Sequence, residues 1–180
     1  SICDGQIMLD AAAFNEGRRP ALDPGLSVSR VGGSAQTKAM KQVAGRLRID
    51  LAQYGEMARF VKFGAEVDES TQLQLTRGER ARELLKQVHH APMALEQEIL
   101  VLYAVVNGYF DDIAVNKIGD IEAELLEYAT RRRPDVLQAL AVAQGVTDEI
   151  AALLSSALAE FISKRGASAD ESVPSLEAVV

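Results

Sequence analysis

The spacing of apolar residues changes near residue 35. Before that point, short apolar groups are separated by Gly5, Gly17, Pro20, Pro24, Gly25, Gly32 and Gly33, the punctuation of turns and short strands. Leu26, Ser27 and Val28 alternate apolar and polar, which predicts a strand reaching to about Val31. Ile7, Met8 and Leu9 predict a second, buried strand. Two short strands do not make a stable sheet alone. They read as the last strands of a sheet whose other members lie elsewhere.

From Gln36 onward the period is helical. Met40, Val43, Ala44, Leu47, Leu51 and Tyr54 recur at steps of three and four and form one apolar stripe. A turn around residues 64–70 comes next, then a helix running through Leu84, Leu85 and Val88. Pro92 suits the first turn of another helix, with Leu95, Ile99, Leu102, Tyr103 and Val106 along its inner face and Gly108 ending it. Further helices are predicted over about 118–130 and 134–143. The last opens at Thr147, an N-cap followed by Asp148 and Glu149, with Ile150, Leu154, Leu158 and Phe161 facing inward. The expected chain is therefore mainly α. It comprises strands and a loop over 1–34, a helical bundle over 35–165 and a flexible tail over 166–180.

Composition narrows the functional classes. With 180 residues, 48% hydrophobic and 25% charged, the chain can bury a real core of one domain or slightly more. A net charge of -7, 5% aromatic content and no Trp disfavour nucleic-acid binding. The single Cys3 excludes an internal disulfide framework and a multi-cysteine zinc site. The longest apolar run, 99–106, is eight residues, where a membrane span needs roughly 20. The first ten residues lack the basic start and long apolar stretch of a signal peptide. The chain opens on Ser1 rather than Met, the expectation of a processed, trimmed or recombinantly cut piece. Charge is also divided: residues 1–50 carry +2 and residues 51–180 carry -9. The two parts are expected to do different jobs.

Candidate chemistry is sparse when judged by spacing alone. No Gly-Lys pair occurs, so the usual triphosphate-cradling loop is absent. His89 and His90 are adjacent, and no carboxylate or thiolate stands at ligand spacing from them. In the segment from Ser27 to Ser34, Arg30 ends a strand before Gly32 and Gly33. Its planar five-donor fork suits phosphate or carboxylate, or it pairs with a neighbouring Asp. Arg19, next to Pro20, either stacks on a planar ring or faces water, and Gln87 either reads a base edge or is solvated. Glu66, Asp68 and Glu69 read as a charged, exposed turn.

Ordered motifs carry more information than spacing. Ser1-Ile2-Cys3-Asp4-Gly5-Gln6-Ile7, Arg19-Pro20-Ala21 and Gly25-Leu26-Ser27-Val28-Ser29-Arg30-Val31-Gly32 occur in series. Lys38-Ala39-Met40-Lys41-Gln42-Val43-Ala44-Gly45, Leu51-Ala52-Gln53-Tyr54, Arg77-Gly78, Leu84-Leu85-Lys86-Gln87 and Ala91-Pro92-Met93-Ala94 follow. The series resembles the alpha subunit of F-type ATP synthase, strongest over residues 1–110. The resemblance implies the last strands of an α/β nucleotide-binding domain followed by the C-terminal helical bundle.

It further implies that Arg30 is an arginine finger offered to the catalytic ATP site of a neighbouring beta subunit, with Ser29, Ser1 and Gly5 beside it. Phe14, Arg19, Pro20, Gln87 and His89 would surround the adenine of a non-catalytic nucleotide, although His89 stands where the family more often has Gln. Gly55 replaces a common Arg, and Asp23-Pro24 a common Asn-Val. The implied cofactors are ATP or ADP with Mg2+, the phosphates and metal being held outside this chain. The implied partners are beta, the upstream part of alpha and the gamma central stalk, the last beside the 66–69 turn.

The implied location is peripheral on an energy-transducing membrane: mitochondrial inner, bacterial plasma or thylakoid. Two other readings are a free-standing helical interaction module derived from alpha and the non-catalytic subunit of a vacuolar-type ATPase.

Overall fold

The computed structural model describes residues 3–62, 67–143 and 145–170, with side chains as far as Arg165 except Lys62. Two short strands, β1 (Gly5–Gln6) and β2 (Val28–Ser29), pair antiparallel with Gly5 opposite Ser29. Between and after them come the short helices α1 (Ala11–Asn15) and α2 (Gly32–Ala35). The helical body consists of α3 (Lys38–Lys62), α4 (Glu69–Leu84), α5 (Leu95–Val106), α6 (Ile118–Arg132), α7 (Pro134–Val142) and α8 (Asp148–Asp170).

Capping chemistry sets several of these boundaries. Thr37 Oγ1 accepts from the Met40 amide at 3.3 Å and opens α3. The Asp68 carboxylate accepts from the Thr71 amide at 3.3 Å and opens α4. The Ser70 and Thr71 hydroxyls hold that carboxyl below the usual carboxylate range. Pro134 stands at the start of α7, and Thr147 Oγ1 accepts from the Ile150 amide at 3.4 Å at the start of α8. Gly108, at φ +81°, supplies the left-handed turn that ends α5.

One continuous core lies inside the helical body, from Ala39 to Phe161. Helix α5 is its centre. Ile99, Leu100, Val101, Ala104, Val105 and Val106 are all buried, so this helix is covered on almost every side by α3, α4, α6 and α7. Phe110 has no exposed surface and closes one end of the core. The predicted stripe on α3 is confirmed at Met40, Val43 and Leu47, all below a tenth exposed.

The backbone after α5 is gripped from α4. Arg77 Nη2 donates to Asp111 at 2.5 Å, and Arg80 Nε donates to the Phe110 carbonyl at 3.1 Å. At the other end of the body, Arg133 pairs with Asp135 at 3.0 Å and reaches Glu160 at 3.5 Å. The guanidinium holds the Asp135 carboxyl below the usual carboxylate range.

Several expectations need correction. Ile7, Met8 and Leu9 are not buried: they are 73%, 41% and 74% exposed, because among the described residues the strand pair is a two-stranded sheet with no third strand beside it. Helix α4 stops at Leu84 and does not include Leu85 or Val88. The Leu85 amide still bonds to Ala81, but the Gln87 amide donates to the Arg19 carbonyl at 2.8 Å and leads the chain away. Pro92 is not in the first turn of α5, which starts at Leu95 with the Gln97 side chain accepting from the Ala94 amide at 3.3 Å. Leu95 is correspondingly 41% exposed. In the predicted 64–70 turn, residues 63–66 lie outside the described residues, while Glu69 and Ser70 already belong to α4. Helical backbone continues to Asp170, and residues 171–180 lie outside the described residues.

Two glycines test the packing in opposite directions. A Cβ on Gly55 would meet nothing within 4 Å, so Gly55→Ala should stabilise α3 by about 0.5–1 kcal/mol. A Cβ on Gly78 would lie 2.5 Å from Tyr54, where α4 crosses α3, so Gly78→Ala should cost about 1–3 kcal/mol. Urea unfolding of the two variants checks both signs.

Burial pushes the Glu122 carboxyl above its ordinary value, so the charged form is disfavoured in the folded state. Glu122→Gln should therefore be more stable than the parent at pH 7. That gain should shrink as pH falls through the raised pKa and vanish below the ordinary glutamate value. Urea midpoints of the two proteins at pH 7 and pH 4 check this.

Candidate functional site

The N-terminal segment has almost no interior of its own. Among the described residues before Ala39, only Ala13 and Ala21 are buried hydrophobics. Its side chains are instead presented outward, and those singled out by the sequence fall into two groups.

The first group gathers on the strand pair. A Cβ on Gly5 would run into the Val28 carbonyl, so the close approach of β1 and β2 requires glycine there. Ser29 Oγ accepts from the Gly32 amide at 2.8 Å and turns the chain into α2. Arg30 follows at the rim, its side chain 78% exposed. Its amide donates to the Asp4 carbonyl at 2.8 Å, and its Nε and Nη2 both donate to the Asp4 carboxylate. The pairing with a neighbouring Asp is thus present, and the guanidinium remains open to solvent on its other side. Ser1 lies outside the described residues.

The second group forms around α1. Asp10 caps this helix by accepting from the Ala12 amide at 2.9 Å, which presents Phe14 at its end with 53% exposure. The Arg19 guanidinium lies 3.5 Å from the centre of the Phe14 ring. Arg19 Nη1 donates to the Phe14 carbonyl at 2.5 Å and to the Arg18 carbonyl at 2.9 Å. The Arg19-Pro20 peptide is cis. Gln87 is brought to the same place by its amide bond to Arg19, and its side-chain amide donates to the Ala91 carbonyl at 3.0 Å. The His89 ring contacts that of His90, at 4.2 Å between centroids.

Spacing did not single out several residues that shape these groups. Asp4 holds Arg30 across 26 positions, a relation that exists only once the strands pair. Asp23 accepts from the Gly25 and Leu26 amides at 2.8 and 3.0 Å and makes Asp23-Pro24-Gly25 a turn; its Asx chemistry was readable in the sequence. Among the described residues there is no group of His, Cys, Asp or Glu that could hold a metal ion, and no helix long and apolar enough to cross a membrane. The site can thus offer a planar stacking surface at Phe14 and Arg19, and a separate cationic fork at Arg30.

The helical body thus carries an attached strand segment with an exposed arginine and an aromatic–guanidinium pair. Residues 36–161 match the family model described as ATP synthase alpha/beta chain, C terminal domain, and the chain belongs to that family. Of its two branches, the chain is like the C-terminal part of the F-type alpha subunit. It is 50% identical over 161 residues to the ATP synthase subunit alpha of Syntrophomonas wolfei subsp. wolfei, covering 89% of this chain and 32% of the relative. It is 48% identical over 162 residues to the ATP synthase subunit alpha of Petrotoga mobilis, covering 90% of this chain and 32% of the relative. The chain therefore spans about a third of the length of these relatives.

The Asp4–Arg30 pair should restrain the guanidinium only weakly, as exposed ion pairs do. Asp4→Asn should make modification of Arg30 by phenylglyoxal about two- to five-fold faster. Peptide mapping by mass spectrometry, with exposed Arg131 as internal reference, checks this.

Proposed function

We propose that the chain acts as the C-terminal part of the alpha subunit of a rotary proton-translocating ATP synthase, contributing to nucleotide chemistry on a neighbouring subunit. The observation that carries this reading is Arg30. It stands solvent-exposed at the rim of a glycine-flanked strand pair, its amide bonded to the Asp4 carbonyl, in a chain whose relatives are named ATP synthase subunit alpha.

The physical case begins with the transferred phosphoryl group, whose charge spreads over its equatorial oxygens. A guanidinium inserted from a neighbour stabilises that charge by about 10³–10⁵ in rate, roughly 4–7 kcal/mol. Arg30 has the reach and the free side for this. Its attachment to Asp4 restrains the fork only weakly and leaves several of its five donors free. Gly5 and Ser29 shape the rim from which it projects, and Ser1 belongs to the same reading. Phe14 and Arg19 offer a face on which a base can stack, with Pro20 and Gln87 at its border and His89 belonging to the same reading.

The nucleotide, ATP or ADP with Mg2+, would be held at its phosphates by residues outside this chain. A bound magnesium ion neutralises phosphate charge during transfer. In this reading the exposed apolar residues Ile7, Leu9, Leu26 and Val28 meet the upstream part of alpha. Beta lies across from Arg30, and the gamma stalk passes the loop before α4. The assembly is an alpha3beta3 ring, peripheral on an energy-transducing membrane.

Arg30→Lys keeps the charge but loses the fork. In the assembled complex it should reduce multisite ATP turnover by about 10³ or more while leaving subunit assembly intact. Turnover at the parent rate, measured with purified complex, would overturn the role given to Arg30. Isolation of the chain as a lone monomer, without beta, would instead favour a free-standing helical module.

A further inference from the structure

The ring-stacking turn at Phe14 and Arg19 is tied to the helical body by very few side chains, and one carboxylate is central among them. Glu16 Oε2 lies 3.4 Å from Arg18 Nη2 and 3.3 Å from Arg82 Nη2. Arg82 belongs to the last turn of α4. Its guanidinium also donates to Tyr54 Oη on α3 at 3.2 Å and lies 5.3 Å from the centre of that ring. Arg18 is in turn 3.8 Å from Asp10, the cap of α1. A polar chain therefore runs from Tyr54 through Arg82, Glu16 and Arg18 to Asp10, spanning both ends of the helix that presents Phe14.

We infer that Glu16 and Arg82 are positioning residues. Through them, α4 sets the orientation of the Phe14–Arg19 pair. The inference rests on the reading of Phe14 and Arg19 as base-contacting residues, and adds that their arrangement is controlled from the helical body. Three observations converge. Among the described residues the turn has only Ala13 and Ala21 as buried hydrophobics, so no large apolar core fixes it. A backbone bond from the Gln87 amide to the Arg19 carbonyl also ties it to the chain after α4. Finally, Arg18 Nε and Arg82 Nε are buried without an acceptor, so the clasp is closed but not saturated. Opening it returns two donors to water instead of stranding them, which keeps the closed state only modestly preferred. Glu79, Glu83 and Lys86 line the same recess and tune its field.

The consequence is directional. A shift of α4 against α3 moves Arg82, pulls on Glu16, and changes the stacking of Arg19 on Phe14. A ring bound against Phe14 acts back on α4 by the same route.

The test uses the 180-residue chain with no nucleotide present. Its readouts are the ring-current shift of the Arg19 guanidinium protons over Phe14 and the amide exchange of residues 12–18. Glu16→Gln and Arg82→Gln should each move the Arg19 resonances downfield and speed that exchange about two- to five-fold. The amides of α5 should be unaffected, which confirms that the variants are folded. The double variant should resemble either single one, because both remove the same link. Salt near 1 M should mimic the substitutions, since screening then acts within about 3 Å.

Unchanged Arg19 shifts in both single variants, or effects that add fully in the double one, overturn the inference. Failure of a nucleotide photolabel to mark the Phe14 region in the assembled complex would instead overturn the reading of that region as a base site. The Glu16–Arg82 coupling would then still stand or fall on the exchange data.

Discussion

An apolar cylinder in water has to be surrounded, and α5 is such a cylinder. Its residues from Ile99 to Val106 leave only part of Leu102 and Tyr103 uncovered, so a two-layer arrangement could not satisfy it. The other long helices take their positions from this demand. Helix α3 lays its Met40–Val43–Leu47 stripe against one side, α7 covers another with Val136 and Leu140, and α4 and α6 fill the remainder. Burying aliphatic side chains of this size is worth about 1.5–3 kcal/mol each, which makes the centre of the body its main source of stability. The polar grips at Arg77, Arg80 and Arg133 then fix how the turns close over it.

The strand segment is built on the opposite principle. It has turns, an Asx motif at Asp23, a capped helix at α1 and a strand pair, yet almost nothing inside. Its local geometry is specified by backbone hydrogen bonds and short polar side chains, and its apolar residues point outward. Exposed groups such as Arg30 and Phe14 are affordable there because the stability of the chain is secured elsewhere.

Much of the helical body was legible because a period of 3.6 reports burial directly: the stripes on α3 and α8 and the ends at Gly108 and Thr147 were all readable. The errors differ in cause. Helix α4 ends where it does because Arg19, far back in the chain and outside any local window, takes the Gln87 amide. Helix α5 begins at Leu95 because the Gln97 side chain reaches back to the Ala94 amide, a local signal three positions long that the apolar pattern does not carry. The apolar character of Ile7 and Leu9 invites burial that no element among the described residues provides. At the candidate site the order of motifs singled out Arg30, Phe14, Arg19 and Gln87. Asp4, Glu16 and Arg82 needed the fold, since each acts on a residue brought near only by chain reversal.

One long-range bond bears on how the chain is made. The Gln42 side chain accepts from the Val146 amide at 2.7 Å, joining α3 to the approach of α8 across 104 positions. A ribosome adding about 5–20 residues each second delivers Val146 some 5–20 s after Gln42. Throughout that interval the apolar stripe of α3 has emerged while the last part of its surroundings has not. Completion of the body is thus timed by synthesis of its far end.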